Sequence, residues 1–258
     1  VLLNSNNQSN YYAESISIDD IKNNIETVQM RIINACRRSN RDPNSVRLLP
    51  VSKTKPQSIL RLAHQAGCTM LGENKVQEAY NKWEQMQDLA DLNWSIIGHL
   101  QTNKAKFVAK FATEFQALDS LRVAEALDRR LQIEGRMLDV FIQVNTSNEA
   151  SKYGLMPDEI SSFLQKMPVF SALKVRGLMT LAVFSNDMTK VRNCFILLRE
   201  MRDKLRQSTP SGISLNELSM GMSGDFEIAI EEGATVVRVG QAIFGKRPTP
   251  DNHYWPGN

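Results

Sequence analysis

The chain has 258 residues, 42% of them hydrophobic, enough for one large domain or two small ones. Lys and Arg (31) barely exceed Asp and Glu (28), so the formal charge of +3 leaves no strong footprint for nucleic acid or an anionic membrane surface. Three widely spaced cysteines, Cys36, Cys68 and Cys194, form no CxxC pair, which argues against a disulfide framework or a zinc site and suits a reducing cytoplasm.

Residues 1–15 are Asn/Ser-rich, without a basic start or an apolar h-region, and read as a polar tail. No stretch approaches the roughly 20 apolar residues that a membrane-spanning helix needs. Ser17 and Asp20 form a capping-box-like start. Ile21, Ile25, Val28, Ile32, Ile33 and Ala35 then recur at helical spacing, predicting a long amphipathic first helix. From there short β-rich runs alternate with helical segments. The strands are expected at 46–51, 69–71, 94–97, 114–118, 139–144, 174–179, 215–219 and 235–239. Helix signatures between them include 56–66 ending at Gly67, 120–134 ending at Gly135, and 188–206.

Regular β-α alternation implies parallel strands with right-handed crossovers. Eight units in about 215 residues match a closed (β/α)8 barrel, the TIM barrel, with a doubly wound open sheet as the alternative. No internal repeat or linker divides the chain, so the expected organisation is one barrel domain over 16–247 and an extended tail over 248–258.

In parallel α/β folds, ligands bind where strands end and loops begin. After the first strand come Ser52 and Lys53; after the second, GENKVQE (72–78); after the third, GHLQTNK (98–104). MGMSGDFE (220–227) follows the seventh and GQAIFG (240–245) the eighth. Gly221, Ser223 and Gly224 are expected at a helix start, where free N–H groups favour an anion, and Gly240 follows the last strand. Read singly, these are ordinary turn residues; together they sit at the two exits that often bind phosphate in barrels. Lys53 reads either as a solvated flank of a core strand or as an amine at the barrel mouth. There, desolvation would favour the neutral nucleophile and a Schiff base with a phosphorylated aldehyde such as pyridoxal 5'-phosphate (PLP). Arg238 shares the inward face with Gly240. It either meets the cofactor's pyridine nitrogen, weakening the ring as an electron sink, or fills the barrel centre in an ion pair with Glu217 or Asp225.

The motifs VSKTKP, GENKVQE, IGHLQTNK, GLMT and LSMGMSGDFEIAIEEGATVVRVGQAIFG, in this order over roughly residues 18–247, resemble the pyridoxal phosphate homeostasis protein family, also called YggS or PROSC. The resemblance implies one α/β barrel like the alanine racemase N-terminal domain, a fold-type III PLP protein. By motif, Lys53 would be the Schiff-base lysine and Asn74 would stand beside the cofactor. Met179 would line its ring face, while Ser219, Ser223 and Gly240 would hold the phosphate and Arg238 would face the pyridine nitrogen. Where the family often carries Trp-His before Phe-Ile-Gly, this chain reads Trp94-Ser95-Ile96-Ile97-Gly98, so a histidine role there is lost and His99 falls into a solvated loop.

The resemblance implies a cytoplasmic, monomeric protein of PLP homeostasis that stores or delivers cofactor to apo-enzymes, interacts weakly with amino acids, and is not an enzyme. The racemases of this fold draw a second base from a C-terminal domain of the partner subunit, which this chain is expected to lack. The competing enzyme reading is a PLP-dependent racemase or lyase using Tyr153, Lys152 or His99 as second base. A third keeps the barrel and gives Lys53 a sugar phosphate, as in aldolases. Lys55, Lys104 and Lys152 are expected to be exposed.

Overall fold

The computed structural model describes residues 17–149 and 152–246; the two expected tails lie outside the described residues. Helix α1 (Ile18–Arg38) starts on a reciprocal capping box. The Ser17 Oγ accepts the Asp20 N–H at 3.1 Å, and the Asp20 carboxylate accepts the Ser17 N–H at 3.0 Å. Its buried stripe, Ile21, Val28, Ile32, Ala35 and Cys36, follows the 3.6-residue period.

The strands are β1 (Arg47–Pro50), β2 (Met70–Glu73), β3 (Asn93–Ile96), β4 (Glu114–Leu118), β5 (Leu138–Gln143), β6 (Leu173–Met179), β7 (Glu217–Ser219) and β8 (Val236–Val239). Between them run α2 (Gln57–Gln65), α3 (Val76–Glu84), α4 (Ala105–Phe111), α5 (Leu121–Glu134), α6 (Ile160–Lys166), α7 (Met188–Leu205) and α8 (Phe226–Glu231), with α9 (Gln241–Phe244) after β8. Helix α5 has the boundaries that its sequence specifies: Ser120 caps it by accepting the Val123 N–H, and Gly135 ends it in the left-handed conformation.

From β2 to β8 every strand pairs in parallel with its neighbour in sequence, and β1 pairs with β8 from Arg47↔Val236 to Pro50↔Val239. The ring closes between β1 and β2 through a bridge from Val51 to Gly72 and the Ser52 N–H donating to the Gly72 carbonyl at 3.0 Å. A doubly wound sheet would interrupt this consecutive order, so the closed-barrel expectation holds. Two boundaries differ from the sequence reading. Gly72 and Glu73 belong to β2 rather than to its exit loop, and Gly221, Ser223 and Gly224 lie in a loop and turn (221–225) ahead of α8 rather than in its first turn.

Apolar side chains form one continuous core, whereas the barrel interior carries a polar chain. Arg47 pairs with Glu114 at 2.6 Å, and Glu114 accepts from Ser95 at 2.7 Å and Gln116 at 2.6 Å. Gln116 in turn accepts the Ser219 hydroxyl at 2.6 Å, and Ser219 Oγ accepts Arg238 at 2.7 Å. Each residue of this polar chain thus meets a partner, as a low-dielectric interior demands. The residue that departs from the family's Trp-His, Ser95, is fully buried in this chain. Among the described residues no helix is long and apolar enough to cross a membrane, and no group of His, Cys, Asp or Glu could hold a metal.

Candidate functional site

The closing bridge brings the ends of β1 and β2 together, so Lys53 and Asn74 emerge side by side in topology. Both line a cavity of about 780 Å³ at the strand exits, shared with Ser223, Arg238 and Gly240 from the far side of the seam. This volume lies in the range that encloses a small organic ligand. Two other expected site residues stay below it. Met179 and Ser219 are fully buried and do not line the cavity, because both end their strands facing packed interior rather than loop. The apolar wall comes from Leu181 to Phe184 just beyond β6.

Close approach of the backbone sets the Asn74 corner. A Cβ on Gly98 would lie 2.0 Å from the Asn74 carbonyl oxygen, so only glycine lets the β3 exit pass against the β2 exit. The Asn74 Oδ1 is buried and has no hydrogen-bond partner, a spare acceptor in a residue that faces the cavity.

Opposite, the β7 and β8 exits are tied together. The Ser223 Oγ accepts the Ala242 N–H at 3.4 Å, and the Arg238 N–H donates to the Gly221 carbonyl at 2.9 Å. Gly221 needs its freedom, since it has φ +95° and a Cβ there would lie 2.6 Å from Ala229. The Asp225 carboxylate accepts the Met222 N–H at 2.6 Å, and burial raises its pKa.

Arg238 forms the cavity floor. It donates to Ser219 Oγ and, at 2.9 Å, to the Thr180 carbonyl. Neither Glu217 nor Asp225 forms an ion pair with it among the described residues; Glu217 instead lies 3.8 Å from Arg47. Burial lowers its pKa to about 10, partly opposed by Asp225 and Glu114, so it remains cationic at neutral pH.

Three further residues differ from expectation. His99 is not merely solvated: its ring stacks on Tyr153 with centroids 3.9 Å apart, and its Nδ1 lies 3.5 Å from Asp119, whose carboxyl burial pushes up. Both rings line the cavity rim. Lys55 is buried, donating to the Lys246 carbonyl at 3.0 Å. Lys152 is held by Glu149 at 2.7 Å and the Ala182 carbonyl at 3.1 Å. Sequence reasoning also missed Gln116 and Thr180, the polar residues that seat Ser219 and Arg238; their only signal was a polar residue inside an otherwise apolar strand or at its end.

A parallel barrel with a lysine and a cationic floor opening on one strand-exit cavity defines the class, and the family model for the alanine racemase N-terminal domain matches residues 16–248. The chain belongs to the pyridoxal phosphate homeostasis protein family. The member from Aquifex aeolicus is 40% identical over 223 residues, covering 86% of this chain and 96% of the relative. The Escherichia coli K12 member is 38% identical over 232 residues, covering 89% and 98%. Among solved structures, PipY of Synechococcus elongatus with PLP bound is 34% identical with a TM-score of 0.76, covering 87% of this chain and all of that one. A Corynebacterium glutamicum alanine racemase, 15% identical with a TM-score of 0.67 over 93% of this chain and 64% of its own, shares the fold.

Proposed function

We propose that this chain binds PLP in the strand-exit cavity and serves PLP homeostasis as a cofactor carrier, with Lys53 as the covalent anchor. The observation that carries the reading is that Lys53, from the first strand, and the small-residue turns after the seventh and eighth strands open on one cavity. The residues fit the group: an amine for its aldehyde, Ser223 and Gly240 for its phosphate, and the spare Asn74 acceptor beside it. Ser219 and Met179 act from below, Ser219 by holding Arg238. Lys53 would supply the amine that holds the cofactor's aldehyde covalently, with Asn74, Ser223 and Gly240 placing the group against it. Bound PLP supplies an electron sink to carbon acids.

Arg238 works against such chemistry, because a guanidinium beside the pyridine nitrogen disfavours its protonation. We therefore read the protein as non-catalytic, a cytoplasmic monomer of one barrel domain that releases cofactor to apo-enzymes. The competing reading, a racemase or lyase, draws on the His99–Tyr153 stack beside Asp119 as a second acid/base group at the rim.

The visible spectrum of protein mixed with PLP, followed by borohydride reduction and peptide mapping, tests the assignment. The adduct is expected on Lys53 and absent from Lys53→Ala; an adduct mapped to another lysine refutes it. Multiple-turnover racemisation or elimination near the usual enzyme median of about 10 per second would refute the carrier reading.

A further inference from the structure

Behind the Lys53 turn lies a charged cluster that does not line the cavity. Lys82, on α3 and only 7% exposed, places its Nζ 2.7 Å from Glu73 Oε1 and 2.6 Å from Glu78 Oε1, and donates to the Ser52 carbonyl at 3.3 Å. Ser52 donates its hydroxyl to the same Glu73 oxygen at 2.6 Å, and the Thr54 N–H donates to the same Glu78 oxygen at 2.9 Å. One buried ammonium thus grips, through two carboxylates, the residues on both sides of Lys53.

That grip bears on a strained backbone. Thr54 has φ +68°, a conformation that a β-branched residue adopts only when its surroundings impose it. Its own hydroxyl offers no compensation, being buried without a hydrogen-bond partner. The Lys55 N–H donates to the Ser52 carbonyl at 3.1 Å, closing the turn that the Glu78 carboxylate then holds from outside. Stability alone is a poor reason for such a cluster: a buried ion pair is often matched by well-packed apolar side chains, and here the Glu73 Oε2 is left without a partner.

We propose that Lys82 is a positioning residue which, through Glu73 and Glu78, fixes the Ser52–Thr54 turn and with it the direction in which the Lys53 amine enters the cavity. The proposal rests on the reading of Lys53 as the covalent anchor. It separates two properties: the cavity's affinity for a phosphorylated pyridine, and the readiness of Lys53 to capture an aldehyde held there.

The experiment uses the full chain and two ligands, PLP and pyridoxine 5'-phosphate, whose alcohol cannot condense with an amine. Lys82→Met is expected to slow borohydride-fixable adduct formation about tenfold at equal occupancy, the effect of losing one charge-assisted anchor, while pyridoxine 5'-phosphate affinity stays within about twofold. An unchanged rate, or equal losses for both ligands, overturns the positioning role. Should Lys82→Met not fold, Glu78→Gln carries the test. Its side chain is partly exposed, so the fold tolerates the change, and about a threefold slowing in the same assay is expected. No slowing in Glu78→Gln overturns the proposal equally. Lys53→Ala runs alongside: an adduct that survives in it defeats the anchor reading itself, whatever Lys82→Met does.

Discussion

Gly98→Ala probes how closely the second and third strand exits must approach to shape the Asn74 corner. The new Cβ would lie 2.0 Å from the Asn74 carbonyl oxygen and 2.8 Å from its carbonyl carbon, about an ångström inside any ordinary contact with the oxygen. The clashing atoms belong to backbone, so no rotamer change relieves them. Overpacking of this kind costs typically about 1–3 kcal/mol, and the rigid partner puts this site near the upper end. For a chain of this size that lowers Tm by roughly 6–12 °C. Gly177→Ala is the companion, because its Cβ would lie 1.8 Å from the Glu217 carbonyl oxygen and the residue does not line the cavity. Both variants should lose stability in thermal and urea unfolding. Only Gly98→Ala should also weaken PLP binding per folded molecule, since only there must Asn74 move. Equal PLP affinity in the two variants would refute the claim that Gly98 shapes the site, and an unshifted Tm in both would refute the steric argument itself.

Ser223→Asp should weaken PLP binding roughly a hundredfold more than pyridoxal binding, because the new carboxylate would face the phosphate at short range; calorimetry with both ligands checks it. Ser219→Ala should instead leave Gln116 and Arg238 short of a partner inside the barrel, cost about 1–3 kcal/mol in urea unfolding and affect the two ligands alike. Burial pushes the Cys68 thiol up to about 11, so below pH 8 it is protonated in both folded and unfolded chains. As pH rises from about 9 to 11 the unfolded thiol ionises while the folded one does not. Stability should therefore fall across that window in wild type, and fall less steeply in Cys68→Ala.

The barrel was legible because each strand-helix unit announces itself locally: a short apolar run, a helical period, then a capping serine or a terminal glycine such as Gly135. The cavity's location was legible too, since Lys53, Ser223 and Gly240 are unusual residues at strand exits. What escaped the sequence depends on approach between distant segments. Nothing near Lys55 signals that the Lys246 carbonyl accepts from its ammonium, and nothing near His99 signals the Tyr153 ring. Met179 and Ser219 are site residues by the family resemblance, yet both are fully buried and neither lines the cavity. Gly98 reads as an ordinary turn glycine until Asn74 is set against it. Nothing near Lys82 in the sequence signals that it lies buried between two carboxylates.

The pairing of β1 with β8 has a consequence for when the protein becomes competent. Lys53 and Arg238 line the same cavity but leave the ribosome far apart in time, roughly ten to forty seconds at about 5–20 residues per second. Until Val236–Val239 is available, β1 has one edge without its partner strand, and the cavity lacks both the Arg238 floor and the Gly240 turn. Fragments ending before β8 are therefore expected to bind PLP far more weakly than the full chain, which calorimetry on such fragments checks. A cavity whose first lining residues are made early is thus completed only with the last strand.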